Sequence, residues 1–247
     1  YRQLTDSGIE CSIIAPSLIP SKPGDRIKTD RRDATNLAIQ LRAGALTSIH
    51  VPTTEQESLR ELARARQAAR DDLNSARQQL IKFCLRHGKA YSEGVHWTQR
   101  HHQWLRTASF EHRPAQLAFE DYRSHVDYLE ERLKLLDTYL EGTARSEQYR
   151  QRVDRLRCLH GINTLAAITM IAEVHDFRRF SSPRQMPAFV GIVPMESSSG
   201  EREHRGAITK AGNRRLRCLM IEIAWHYSRS SSLTALKKRL DGQPKEV

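Results

Sequence analysis

The chain has 247 residues, with 40 Lys and Arg against 29 Asp and Glu, a net charge of +11. That excess favours a polyanionic partner, because cationic side chains release counterions from a nucleic-acid backbone. Aromatics at 6% argue against a base-stacking platform as the main binding device; no apolar run reaches the ~20 residues that cross a bilayer; and four scattered cysteines (Cys11, Cys84, Cys158, Cys218) with no CxxC fit free thiols in a reduced cytoplasm rather than a disulfide framework or a zinc site.

Residues 8–15 read as a short buried strand, followed by a loop marked by Pro16, Pro20, Pro23 and Gly24. Residues 30–43 read as a helix with Ala34, Leu37, Ala38 and Leu41 on one face and Gly44 at its end. Residues 47–51 read as a second strand closed by Pro52. Two strands cannot bury a sheet alone, so residues 1–52 read as the tail of an α/β domain.

Thr54 and Glu57 form a capping box at the start of a long helix. Leu59, Leu62, Arg66, Ala69, Leu73, Ala76, Leu80 and Phe83 then alternate spacings of three and four, with Arg66 the one polar member. Phe119, Tyr122, Val126, Leu129, Leu133, Leu136 and Leu140 repeat the pattern. Such heptads predict a coiled-coil seam, within the chain or between two chains. The stretch between them is rich in His, Trp and Arg; adjacent His101 and His102 point to different faces and read as surface or nucleic-acid contacts.

Residues 156–174 read as helix, turn at Gly161, helix, which is either a structural αα-hairpin or a helix-hairpin-helix whose turn amides hold a phosphate. Ser182 and Pro183 read as N-cap and first residue of a short helix ended by Gly191. Residues 192–209 read as an irregular loop, and residues 214–229 as a helix with Leu216, Leu219, Ile223 and Trp225 in the core. The Ser- and Pro-containing tail, 231–247, reads as frayed.

Two constellations carry chemistry. Asp30 and Asp33, three apart at a helix start, lie on one face and suit a shared divalent metal; equally, acidic residues in a first helical turn are favoured by the macrodipole. Lys28, Arg31 and Arg32 beside them suit a phosphate. Far downstream, Ser197-Ser198-Ser199-Gly200 sits in a small hydroxyl-rich loop. Most such serines are linker, but the candidate nucleic-acid contacts Arg202, Arg205, Lys210, Arg214, Arg215 and Arg217 follow at once. Such a field lowers the cost of bringing a phosphodiester to a hydroxyl and stabilises charge that builds in the transition state.

The segments 28–38 (Lys-Thr-Asp-Arg-Arg-Asp-Ala-Thr-Asn-Leu-Ala), Gly191-Ile192-Val193-Pro194, Ser198-Ser199-Gly200 and 206–213 (Gly-Ala-Ile-Thr-Lys-Ala-Gly-Asn) together resemble transposases of the bacterial 110/1111 insertion-sequence family, DEDD/serine recombinases guided by a bridge RNA. The resemblance runs nearly the whole length. It implies a mostly α chain with an α/β N-terminal remnant: the C-terminal part of an RNase H-like (RuvC-like) domain at 1–52, a coiled-coil connector at 53–150, and a helical transposase domain at 151–230. It implies Mg²⁺ held by an acidic set to which Asp30 and Asp33 contribute the third and fourth members, the first two belonging to a strand and turn before Tyr1. It makes Ser198 the nucleophile, with Ser197 and Ser199 as register alternatives. Expected partners are element-end and target DNA, a guide RNA and further copies of the chain as a dimer or tetramer, in the bacterial cytoplasm at the nucleoid and away from membranes. The alternatives are a binder that cuts nothing and a RuvC-like nuclease using metal alone.

Overall fold

The structure is a computed structural model and describes residues 1–20, 29–197, 199, 202, 204–228, 233–241 and 243. It divides into two compact units, Tyr1–Thr54 and Glu55–Val247.

The first unit holds α1 (Arg2–Asp6) and α2 (Asp30–Arg42). Thr29 caps α2, its hydroxyl accepting from the Arg32 amide, and Gly44 follows the helix at φ +65°. The two expected strands reduce to one antiparallel bridge, Ile14 to Ser48, with the Ile49 amide donating to the Ile13 carbonyl at 2.8 Å. The expected burial of residues 8–15 is also corrected: all eight are exposed or half-exposed. Among the described residues no third strand stands beside them, and two extended segments alone have no sheet face to bury. The apolar face of α2 is likewise uncovered, Leu41 being 69% exposed.

The second unit is built on two helices of 33 residues, α3 (Thr54–Arg86) and α5 (Arg113–Arg145), with the short α4 (Gln99–Thr107) between them. Ion pairs Arg66–Asp137, Asp72–Arg132 and Arg77–Glu130 fix the long helices as an antiparallel pair. The two heptad stripes therefore meet each other: Leu73, Ala76, Leu80 and Phe83 pack with Phe119, Val126 and Leu129, and Leu105 of α4 joins them. Arg66, polar at a seam position, is accommodated because Asp137 faces it.

At the other end of the pair, Leu59, Ala63, Leu140 and Ala144 share a core with α6 (Glu147–Arg157) and α7 (Thr164–Val174). Eight of the eleven α7 residues are buried, because its sequence is apolar all round apart from Thr164, Thr169 and the one charged residue, Glu173. The short α8 starts at Gln185, with Arg184 rather than Ser182 at its N-cap position and no side-chain cap there, and ends at Gly191 in the left-handed region. The expected irregular loop contains instead a hairpin of β1 (Pro194–Glu196) and β2 (Arg205–Ile208), paired Pro194 to Ile208 and Glu196 to Arg205 with a bulge between. Then follow α9 (Arg214–Tyr227) and α10 (Leu233–Leu240).

Two further corrections concern these last helices. Trp225 is not core but 70% exposed, since Leu216 and Ile223 already define the buried face of α9. Residues 233–240 of the expected frayed tail are helical, and α10 is tied to α6 where Arg239 donates to the Arg157 carbonyl and its own carbonyl accepts from the Cys158 thiol. Among the described residues no helix is long and apolar enough to cross a membrane.

Candidate nucleic-acid interface

Ser197 and Ser199 lie at the tip of the β1–β2 hairpin. The Ser197 amide donates to the His204 carbonyl at 2.9 Å, and Ser199 and Arg202 exchange backbone hydrogen bonds at 3.1 and 3.2 Å. Ser197, Ser199 and Arg202 are exposed. Ser198 and Lys28 lie outside the described residues.

The hairpin returns to α9 through a backbone crossing that only glycine permits. A side chain on Gly191 would meet the Ala211 carbonyl at 2.2 Å, and one on Gly212 the Phe189 carbonyl at 2.2 Å; both residues have positive φ. The amides of Lys210 and Asn213 donate to the carbonyls of Gly191 and Phe189. Arg217, expected to contact nucleic acid, is buried beneath this crossing and donates to the carbonyls of Val190 at 2.8 Å and Lys210 at 3.2 Å. It anchors the loop, because a long donor-rich side chain can satisfy carbonyls that no amide reaches. Arg205, Lys210, Arg214 and Arg215 are exposed.

Asn213 caps α9, its side-chain oxygen accepting from the Leu216 amide at 3.0 Å. Its amide nitrogen donates to Glu173 at 2.6 Å. Glu173 also receives both arms of Arg64, at 3.1 and 3.2 Å. Burial alone would push its carboxyl up, but the hydrogen bonds from Arg64 and Asn213 outweigh burial and hold it below the ordinary glutamate value. Arg64 is correspondingly raised, chiefly by its bond to Glu173. This network joins α3, α7 and α9 and was not read from the sequence. Its available signal was a lone charged residue in a mostly apolar helix, which must find a partner when buried.

Above the network lies a cleft of about 610 Å³ lined by α3, α7 and α9. Five arginines (Arg64, Arg66, Arg70, Arg214, Arg215) face three carboxylates there (Asp71, Glu173, Glu222). The turn before α7 forms one wall. Gly161 has φ +81° and sits where a side chain would strike His226 and the Ile223 carbonyl at 2.9 Å, and Asn163 caps α7 by accepting from the Ala166 amide at 2.8 Å.

Asp30 and Asp33 are exposed in the first turn of α2. As hard oxygen donors on one face they fit Mg²⁺ as a partial ligand set. Among the described residues, three metal-ligating side chains gather at one place, His102, Asp127 and Glu130, and there Glu130 is already held by Arg77 at 2.6 Å. His101 is no surface contact: it is 1% exposed, ringed by Tyr91, His96, Trp97 and Trp104, and its Nδ1 accepts from the Trp97 amide at 3.1 Å.

An exposed hydroxyl hairpin leading into an arginine-rich helix start, and a separate acidic helix start, define a protein of the kind that handles nucleic-acid phosphates. Comparison with known proteins narrows the class to transposases. The family model described as Transposase IS116/IS110/IS902 family matches residues 153–239, and the DEDD model of the IS110 group, described as a transposase, matches residues 1–87. The chain is 34% identical over 248 residues to the transposase of insertion sequence IS1533 from Leptospira borgpetersenii, covering 99% of this chain and 72% of that one. It is 42% identical over 227 residues to a transposase-named protein, y4qE, of Sinorhizobium fredii (92% of this chain, 55% of that one), and 28% identical over 238 residues to the IS1111A transposase of Coxiella burnetii (90% and 60%). The chain belongs to the IS110 transposase family, and it spans between about half and three quarters of the length of these relatives.

Proposed function

We propose that the chain is the connector and hairpin-bearing part, with the end of the acidic domain, of a DNA transposase that mobilises an insertion sequence. The observation that carries this reading is the exposed hairpin tip bearing Ser197, Ser199 and Arg202, with Arg205 on its return strand. Residues 1–52 then belong to the RuvC-like acidic domain, 53–150 to the connector and 151–230 to the serine domain.

In this reading the Ser198 oxygen attacks a DNA phosphorus. A Ser–O–P bond forms, the P–O3′ bond breaks, the serine proton passes to solvent and the departing 3′ oxygen takes one up. Arg202, Arg205 and Lys210 hold the phosphate against the hairpin. Mg²⁺ at Asp30, Asp33 and the remaining acids would supply charge neutralisation at the reacting phosphate. Sequence choice is delegated to base pairing with a guide RNA while the protein holds backbone. Copies of the chain assemble to bring serine and acids together; the heptad seam is filled within one chain, so that contact falls to an outer surface such as the face of α5 bearing Tyr128, Leu135 and Tyr139. The reaction takes place at the nucleoid.

The test uses the protein extended upstream through the first two acids. Ser198→Ala abolishes covalent DNA attachment and recombination while nucleic-acid binding stays near wild type; Asp33→Asn abolishes recombination through lost metal. Activity lost in Ser199→Ala but kept in Ser198→Ala moves the nucleophile by one residue. Cleavage without a covalent adduct in every serine variant favours metal-only hydrolysis, and binding without cleavage favours a binder.

A further inference from the structure

We propose that the cleft between α3, α7 and α9 is a second seat for a nucleic-acid phosphodiester backbone, distinct from the serine hairpin, and that Glu173 is its positioning residue. The inference rests on the reading of the chain as a nucleic-acid enzyme and adds a place on it that the serine mechanism does not use.

The charge arrangement is the first ground. Arg64 is committed to Glu173, Arg66 to Asp137 and Arg70 to Glu222. Among the described residues Arg214 and Arg215 form no direct ion pair, although Arg215 lies near enough to Glu173 to help hold its carboxyl down, and both stand exposed over the same cleft. They occupy the first two positions of α9, where backbone amides already concentrate positive charge, and no acidic residue shares that turn. Cations there disfavour the helix. An anion in the cleft reverses the sign of that interaction, because it meets two guanidinium groups and a helix start together.

The second ground is rigidity. Arg214 and Arg215 follow directly on Asn213, whose side chain both caps α9 and donates to Glu173, which is clamped by Arg64. The start of α9 is thereby fixed to α3 and α7, and the buried Glu173 charge is neutralised before a ligand arrives. Preorganised donors lose little freedom on binding.

The lining decides the class of ligand. Ala63, Leu165 and Ala166 give the cleft an apolar floor, and no Phe, Tyr or Trp lines it among the described residues. Such a cleft offers charge and fork-shaped donors far more than stacking surface, His226 being the ring that lines it. It suits a phosphodiester backbone held without regard to sequence.

Fluorescence anisotropy of the full chain with a 30-base-pair DNA duplex and with an RNA hairpin, each over a salt series, tests the seat. Arg214→Gln/Arg215→Gln is compared with Arg145→Gln/Arg150→Gln, which removes the same charge from α5 and α6. The expected result is a loss of affinity of tenfold or more for the α9 pair on at least one polymer, with a salt slope shallower by about 1 to 2, while the α5/α6 pair changes affinity less than threefold. The arm that responds shows whether DNA or RNA occupies the cleft. The melting temperature of the α9 variant changes little, since neither arginine forms a direct ion pair among the described residues and the favourable field of Arg215 at Glu173 is set against the cost of cations at a helix start. Equal losses in the two pairs, or an unchanged slope, overturn the seat alone. A wild-type chain that binds neither polymer at low salt overturns the nucleic-acid reading with it. Glu173→Gln retains the arginines but loosens their placement, and a weakened affinity with an undiminished salt slope marks its positioning role.

Discussion

Arg64 and Glu173, 109 residues apart in sequence, form a two-armed ion pair at 3.1 and 3.2 Å in which the carboxylate is almost wholly buried. A buried charge is tolerated when it is paired and hydrogen-bonded, and Asn213 adds a third donor to the two from Arg64. The pair is thus the point at which the long hairpin, the central α7 and the start of α9 are held together.

Removing the carboxylate strands the partners of that network. Glu173→Ala is expected to destabilise the second unit by about 3–5 kcal/mol, the range for breaking one side of a buried pair. Because the native carboxyl lies below its ordinary value, its contribution is fully present above the unfolded-state value and is lost as pH falls through the native one. Urea unfolding should show a large gap between wild type and Glu173→Gln at pH 7 and a gap that closes in strong acid. A constant gap across pH would mean that the charge contributes nothing.

His101 makes the opposite kind of group: a neutral ring whose charged form is excluded. Burial first, then the nearby His96, His102 and Arg77, lower it from 6.5 to about 4. Its Nδ1 accepts from the Trp97 amide, so protonation would also break that bond. The unfolded chain takes up this proton below about pH 6.5 and the folded chain does so only near 4, so stability is complete above 6.5 and is lost as pH falls between the two. The loss is on the order of 3 kcal/mol from this residue. Denaturation midpoints measured from pH 7 to pH 4 should fall more steeply for wild type than for His101→Gln; parallel curves would show that His101 is not the group responsible.

Gly212 and Gly191 are fixed by approach distance as well as by conformation. At φ +118°, a methyl group on Gly212 would stand 2.2 Å from the Phe189 carbonyl. Gly212→Ala therefore forces apart α8 and the start of α9, at a cost of about 1–3 kcal/mol for the backbone conformation before the clash is counted. A fall in melting temperature and faster hydrogen exchange at the Asn213 amide are expected. Unchanged exchange would mean that the crossing is not rigid.

The helices were legible because their apolar spacing, caps and terminating glycines act locally: Thr29 and Gly44 bound α2, and Asn213 caps α9. Features that depend on distant partners were not. Arg217 looks like its basic neighbours in sequence, yet the carbonyls it satisfies belong to Val190 and Lys210. Trp225 looks like core, but the face of α9 that is buried is the one bearing Leu216 and Ile223, and Trp225 lies off it. His101 lies next to His102, and it is the packing of Tyr91 and Trp104 that buries one and not the other. The hairpin escaped because its strands are three and four residues long, mostly exposed and bulged, which removes the alternation by which a strand is recognised.

The heptads left open whether their seam joins two chains or two helices of one chain, and Leu73 separates the two cases. It is 3% exposed, inside the cluster shared by α3 and α5. Placing an ammonium group there sets a charge among Leu80, Phe119 and Val126 without a carboxylate partner in that cluster, and the transfer and cavity costs of losing a buried leucine alone run to about 2–5 kcal/mol. Leu73→Lys is therefore expected to lower the urea midpoint strongly. In the fraction that remains folded, sedimentation should give the same assembly state as wild type, because the stripe is occupied within the chain. Leu73→Ala, milder in cost, keeps the test readable if the lysine variant does not fold. A variant that keeps wild-type stability but dissociates would place the seam between copies and overturn the intrachain pairing.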